Sequence, residues 1–190
     1  MKILSVYLFA EDTPISANRI EPLRDRDAHI ELAVKKVTPK TIESIRQTAD
    51  TAEKLNIRVA IYPHAGHAIK TMPQAIDLAE KVDHPNVGVM FCLCHYLLRE
   101  NVDDLETVIE RAGSRLIALN MSGGDIASKG LKDAIQTLNK GTFPLGRLLK
   151  ALKRIKYQGP VELKCWGLPG DRFANLETSM AAWKELLDEL

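Results

Sequence analysis

The chain has 190 residues, of which 45% are hydrophobic, and its 26 basic and 25 acidic residues give a formal net charge of +1. This composition is enough for a sizeable core, so we expect a single domain over residues 1–190. A charge near zero provides no field that would attract nucleic acid or an anionic membrane, which favours small-molecule chemistry. No segment approaches ~20 consecutive apolar residues, so the sequence predicts no membrane span.

Cys92, Cys94 and Cys165 all lie in apolar, strand-like segments. A secreted domain held by disulfides would have more cysteines, and they would lie in loops, so these three are interpreted as reduced thiols. The amino terminus enters a strand pattern at once and lacks the features of a signal peptide. A cytoplasmic location is therefore expected.

Strand and helix patterns alternate along the chain. The pattern predicts strands at residues 3–9, 29–34, 58–62, 86–92, 116–121 and 161–165. It predicts helices over residues 41–55, from Pro73, and over 102–112, 145–155 and 176–190, and the last of these carries Leu176, Met180, Trp183 and Leu187 on one face. The helix expected between the first two strands is poorly marked, because residues 11–27 are charged and interrupted by proline.

Histidines follow two neighbouring predicted strands, one βα unit apart. His64 and His67 come after the third strand, and His95 comes after the fourth. Since the carboxyl ends of successive parallel strands share one edge, we expect the three imidazoles to lie near one another. By contrast, His29 and His84 lie at the opposite strand ends and are expected to be structural.

Four segments resemble the later strands of the xylose-isomerase-like TIM barrels, the sugar phosphate isomerase and epimerase group. They are residues 62–67 (YPHAGH), 86–95 (NVGVMFCLCH), 159–164 (GPVELK) and 175–183 (NLETSMAAW). Because the final unit of that fold usually ends with a strand and a Ser-x-x-x-Trp helix, the six units here resemble the third to the eighth. The first two units are expected to be missing, in keeping with a length below the ~250 residues of a complete barrel.

The resemblance implies an α/β fold, a partial (β/α)8 TIM barrel of about six parallel strands with helices packed outside. An open α/β sheet of six strands is the alternative. A partial barrel leaves residues 3–9 and 161–165 as edge strands, and the first of these is apolar and has no proline. We therefore expect self-association, or a complementing segment, at the open edges.

The family's chemistry implies a sugar (phosphate) isomerase or epimerase that acts on a carbohydrate or polyol by proton transfer. Its metal, Mn²⁺ or Mg²⁺, is held by carboxylates and a histidine. Here Tyr62, Cys92 and Lys164 stand where the family has carboxylates. The metal site is therefore expected to be divergent, with tight Mn²⁺ or Mg²⁺ binding lost and His64, His67 and His95 left as weak candidate ligands for Zn²⁺.

The predicted catalytic residues are His64, His95 and Lys164, and the predicted substrate-binding residues are Tyr62, His67, Asn120 and Trp166. Strand alternation places Lys164 on the same side as Glu162 and Trp166, facing inward, where it could act as a base or bind an anion. The substrate would be a small carbohydrate.

Less specific interpretations stay open for each of these residues. Each histidine could be structural, Cys92 and Cys94 could be core fillers, and Lys164 could pair with Glu162 or Glu31. Asn120 could cap a loop, while Tyr62 and Trp166 could serve only in packing.

Two other functions of the chain also remain open: a carbohydrate lyase or hydrolase without a standard metal site, and a non-catalytic, degenerate or truncated barrel that binds a ligand or partner.

Overall fold

The computed structural model describes residues 3–190. In this range the strands are β1 (Ser5–Ala10), β2 (His29–Val34), β3 (Arg58–Tyr62), β4 (Val87–Cys92), β5 (Leu116–Met121) and β6 (Val161–Leu163). The α-helices are α1 (Ala17–Ile20), α2 (Pro39–Glu53), α3 (Met72–Val82), α4 (Leu93–Arg99), α5 (Leu105–Ala112), α6 (Leu131–Ala134), α7 (Leu145–Arg154) and α8 (Arg172–Asp188). Short 3-10 turns precede β2, α5 and β5.

The six strands form one parallel sheet in the order β1-β2-β3-β4-β5-β6. Four strand spacings separate β2 from β6, which in a flat sheet would be about 19 Å. Yet His29 Nε2 of β2 lies 3.6 Å from Glu162 Oε1 of β6. The sheet is therefore strongly curved, and the predicted partial (β/α)8 TIM barrel, with helices packed around it, is confirmed.

Alternating side chains divide each strand between the two faces of the curved sheet. On β2, Ile30, Leu32 and Val34 point outward into the main hydrophobic core beneath the helices. Ala33 points the other way and joins a second buried cluster on the concave face, with Ala60, Tyr62, Met90 and Cys92. The concave face is therefore packed in its middle, which leaves polar side chains near the strand ends.

Polar caps fix where three of the helices begin. The Thr38 hydroxyl accepts a hydrogen bond from the Thr41 amide at 3.0 Å, and Thr71 accepts from the Gln74 amide in the same way. The Asp171 carboxylate accepts from the Ala174 amide at 2.8 Å and starts α8. Each cap satisfies an amide that has no partner inside its helix, which sets the length of the preceding loop.

Two sequence interpretations of the cysteines are wrong. Cys94 lies on α4, because that helix begins at Leu93 directly after β4 without an intervening loop. Cys165 is exposed and lies outside β6, which ends at Leu163. Only Cys92 is a strand residue, so the apolar run through Leu93 combines the end of a strand with the first turn of a helix.

The predicted apolar face of the last helix is wrong for three of its four residues. Trp183 packs against the core, but Leu176, Met180 and Leu187 are 45%, 42% and 47% exposed, and the buried residues of α8 are Ser179 and Ala182. Small side chains let the helix lie close to its neighbours, while these three larger apolar side chains stay largely exposed. The pattern in the sequence thus marks a face that this part of the barrel does not cover.

In the range that the structure describes, no helix is both long enough and apolar enough to cross a membrane.

The two edge strands generate a prediction about association. β1 is the first strand of the sheet, and its Tyr7 and Phe9 side chains are 41% and 36% exposed. Unpaired edges without charges or proline favour pairing with another chain. We expect this 190-residue chain to dimerise or aggregate when it is expressed alone, and a segment that supplies two further βα units should suppress the association. Sedimentation velocity at several concentrations measures this. A monomer at tens of micromolar that unfolds cooperatively would contradict it.

Candidate active site

A cavity of about 480 Å³ opens at the carboxyl ends of the strands. Its lining comprises Tyr7, Tyr62, His64, Cys94, His95, Leu131, Ile135, Lys164 and Trp166. These residues come from β1, β3 with its following loop, α4, α6 and the segment around β6. A cavity of this size, mostly apolar with a few convergent polar groups, is typical of a small-molecule site.

The structure brings the three predicted histidines together. The ring of His64 lies with its centroid 4.2 Å from that of His67, to which it is nearly parallel, and 4.2 Å from that of His95. His64 and His95 line the cavity, whereas His67 lies behind them, 3.4 Å from the Tyr7 hydroxyl. His67 therefore supports the neighbouring rings and does not line the cavity.

Both cavity histidines are held neutral. Burial is the main cause that lowers the pKa of His95 to about 3 and that of His64 to about 4. The neighbouring imidazoles and the positive charge of Lys164 lower both values further. His64 Nδ1 accepts a hydrogen bond from the Gly66 amide at 3.2 Å, so the neutral ring carries its proton on Nε2. His64 can therefore donate a hydrogen bond from that atom.

A chain of polar contacts connects Lys164 to two cysteines. Lys164 Nζ donates to the Tyr62 hydroxyl at 3.4 Å, and Tyr62 donates to Cys92 Sγ at 3.3 Å. The sulfur atoms of Cys92 and Cys94 are 3.4 Å apart. Lys164 points inward, as strand alternation predicts, but its contact is with Tyr62 and not with Glu162 or Glu31.

This arrangement sets the acidity of the thiol pair. Burial alone would raise the pKa of Cys92, but hydrogen bonds from Cys94 and Tyr62 and the positive charge of Lys164 together lower it. The pKa of Cys94 is raised, because its proton is donated to Cys92 and because it is buried. Burial and the adjacent Cys92 likewise raise the pKa of Tyr62. Of the three groups, Cys92 therefore loses its proton first.

Tyr7 and Tyr62 meet edge to face on the concave side, with ring centroids 5.5 Å apart. Sequence reasoning identified Tyr62 but missed Tyr7, as well as Cys94, Leu131 and Ile135. The signal for Tyr7 was present, because strand alternation puts it on the face opposite to Val6 and Leu8, which pack against the main core. Leu131 and Ile135 lie in and just after the short helix α6, and no sequence pattern assigns them to the cavity. Trp166 lines the opening and is 65% exposed.

Asn120 lies at the carboxyl end of β5, in register with Cys92 on one side and Glu162 on the other. It is 3% exposed, and its side-chain oxygen has no hydrogen-bond partner among the described residues. The residue does not line the cavity, so it sits beneath the site and not at its surface.

Donor atoms for a metal differ from those the sequence suggested. The side-chain donors of Cys92, Cys94 and His95 lie within 4.8 Å of one another. Thiolate and imidazole ligands suit Zn²⁺, whereas Mn²⁺ and Mg²⁺ prefer oxygen. An oxygen-rich site does not fit these residues, because the cationic side chain of Lys164 contacts Tyr62 and both residues stand where the resemblance to the family implies carboxylates.

The family model described as "Xylose isomerase-like TIM barrel" matches residues 22–187. The chain belongs to the xylose isomerase-like TIM-barrel family. Among curated proteins, D-psicose 3-epimerase of Enterocloster bolteae is 21% identical over 154 residues, which are 80% of this chain and 46% of that protein. A probable ketose 3-epimerase of Synechocystis sp. is 24% identical over 136 residues, which are 70% of this chain and 44% of that protein. The chain thus spans about half the length of these curated relatives.

Several solved structures share the fold of this chain at low identity. An IOLI protein with a bound zinc atom superposes with a TM-score of 0.76 at 15% identity and covers 98% of this chain and 76% of that one. An L-ribulose 3-epimerase superposes with a TM-score of 0.75 at 15% identity and covers 97% and 74% of the two chains. At this identity, the superpositions establish the fold alone.

The buried His95 predicts a pH dependence of stability. Its pKa falls from an ordinary 6.5 to about 3 on folding, so between these values the unfolded chain binds a proton that the folded ring does not. The free energy of unfolding should therefore decrease as the pH falls through this window. On going from about pH 7 to about pH 4.5, we expect the free energy of unfolding of the wild type to fall by on the order of 2 kcal/mol more than that of His95→Gln, because glutamine cannot titrate. Urea unfolding of both proteins at about pH 7 and about pH 4.5 measures the difference, and an identical pH response would contradict it.

Proposed function

We propose that this chain provides the catalytic face of a sugar isomerase or epimerase, acting on a ketose or similar polyol by proton transfer next to a carbonyl group. One observation carries the proposal. Two neutral imidazoles and a lysine converge on one cavity at the carboxyl ends of the strands. The similarity to two ketose 3-epimerases favours a ketose within this class.

Substrate binding would use both the aromatic and the polar side chains in the cavity. The rings of Tyr7, Tyr62 and Trp166 offer apolar surface against the C–H groups of a sugar. His64 would donate from Nε2 to a carbonyl or hydroxyl oxygen, since its Nδ1 is engaged by Gly66. A sugar bound in this way would be oriented by a few polar contacts against an aromatic wall.

The reaction would begin when His95 accepts the proton from the carbon next to the carbonyl. The electron pair of the broken C–H bond forms the carbon–carbon double bond of an enediolate, and the carbonyl oxygen becomes an anion. The positive charge of Lys164, together with the donor of His64, would stabilise that anion in a site partly closed to water. Return of the proton from His95 to the neighbouring carbon gives the isomer, whereas the epimer forms when water protonates the opposite face of the first carbon and His95 releases its proton to solvent.

If a metal takes part in this reaction, the thiol and imidazole groups of the site would be its ligands. Zn²⁺ would be held by Cys92, Cys94 and His95 and would supply a Lewis acid for the substrate oxygens; this is an alternative to the use of His95 as the base, because an imidazole bound to the metal has no lone pair left to accept a proton. The Tyr62 hydroxyl would then orient Cys92, to which it donates at 3.3 Å. Lys164 positions Tyr62 and, together with the hydrogen bond from Cys94, lowers the pKa of Cys92, which favours its ionised form.

Deuterium exchange tests the proposal directly. We expect the protein, incubated with D-psicose or D-fructose in D₂O, to incorporate deuterium at the carbon next to the ketone and to form the epimer, as followed by NMR. Lys164→Met should slow the exchange by about 10²-fold or more, because the stabilising charge is lost.

His84→Ala is the matched control, since His84 does not line the cavity and its Nε2 lies 3.1 Å from the Asp50 carboxylate. It should retain the wild-type exchange rate. Saturable sugar binding without exchange would contradict the proposal and favour a binding protein, and an unsaturated product would contradict it in favour of a lyase.

A further inference from the structure

A second polar cluster lies on the concave face, outside the lining of the cavity. His29 and Glu31 point inward from β2, and Glu162 points inward from β6. Their side-chain donor atoms all lie within 4.8 Å of one another. The cluster joins the second strand of the sheet to the last one, across the interior of the partial barrel.

Two atoms of this cluster are buried without hydrogen-bond partners. His29 is 3% exposed, and its Nε2 has no hydrogen-bond partner among residues 3–190. The same holds for Glu162 Oε1, which faces that nitrogen at 3.6 Å. Buried polar atoms are nearly always satisfied, so a facing pair of this kind points to a ligand between them.

The two carboxyl groups of the cluster also lack a basic side chain as an ion-pair partner. Glu31 and Glu162 form no ion pair with a lysine or arginine in the described part of the chain. Burial is the main cause that raises the pKa of Glu162 to about 7, and Glu31 raises it further, against opposing effects of Lys164 and Ser5. Burial lowers the pKa of His29, so its ring is neutral and able to act as a ligand. A divalent cation would balance two carboxylates.

We infer that His29, Glu31 and Glu162 form a site for a borderline divalent cation such as Zn²⁺, which fastens β2 to β6. Zinc bonds to nitrogen and oxygen are about 2.0–2.2 Å long, so ligand atoms around a tetrahedral centre are about 3.3–3.6 Å apart. The His29 to Glu162 separation of 3.6 Å already matches, and the other pairs of donor atoms lie within 4.8 Å of one another. One imidazole with two carboxylates favours zinc over Mg²⁺ and Ca²⁺.

Ser5 supports the site from the neighbouring strand. Its hydroxyl donates to Glu31 Oε1 at 2.6 Å, which orients the carboxylate and leaves its other oxygen for the cation. Such supporting hydrogen bonds commonly contribute about 10- to 100-fold to metal affinity. The cation would therefore be held by two strands and supported by a third.

Cobalt(II) binding to the full chain tests the site, because it separates this cluster from the cysteine-containing one. Ligation by thiolates gives intense charge-transfer absorption in the near ultraviolet, whereas nitrogen and oxygen ligands give only weak visible bands. We expect the wild type to develop the weak visible bands and to become more resistant to thermal unfolding with Co²⁺ or Zn²⁺. Glu162→Gln and His29→Ala should each weaken this response at least about tenfold, and Ser5→Ala should weaken it by about tenfold.

Glu162→Gln is the most informative variant, because glutamine has the shape of the neutral carboxyl group and should preserve the metal-free fold while it removes a metal ligand. Cys92→Ala should abolish any charge-transfer band and leave the visible bands in place, and His84→Ala should change neither. Absence of Co²⁺ and Zn²⁺ uptake would overturn the inference. So would uptake that shows only thiolate charge transfer and is unchanged by Glu162→Gln and His29→Ala.

Discussion

The curvature of one parallel sheet is the constraint on which the rest of this structure depends. Six strands run in the same direction, so their carboxyl ends lie along one edge and their helices pack on the outside. The curvature then brings residues from β2, β3 and β6 together, although they are distant in the chain. Both the cavity and the His29 cluster exist because the sheet is bent.

The concave face carries two groups of polar side chains among apolar ones, which include Ala33, Ala60 and Met90. Around the cavity, burial removes the charge from His64 and His95, while Lys164 favours ionisation of Cys92. In the His29 cluster, burial of Glu162 beside Glu31 leaves a carboxyl group whose charge is costly. The same low-polarity interior therefore affects both groups.

Family membership and the local chemistry of the site carry different information. The family model establishes a xylose isomerase-like TIM barrel, and the superpositions agree with it in fold. The contacts among Lys164, Tyr62 and Cys92 belong to this chain, and they replace an oxygen-rich metal site with a cationic side chain and soft donors. Our functional proposal therefore depends on the chain's own residues, with the relatives narrowing the substrate class.

The sequence by itself determined the six strands, the α/β class and the proximity of the histidines, because strand alternation and βα spacing are local patterns that the fold preserves; the partial barrel was implied by the resemblance to the family and not by these patterns. It did not determine that α4 begins immediately after β4, since an apolar run is compatible with strand or helix. Nor did it determine the exposure of Leu176 and Met180, because burial depends on what packs against a helix. The contact of Lys164 with Tyr62, the role of Tyr7 in the cavity and the meeting of His29 with Glu162 were decided by sheet curvature, which brings together strands whose separation no local pattern encodes.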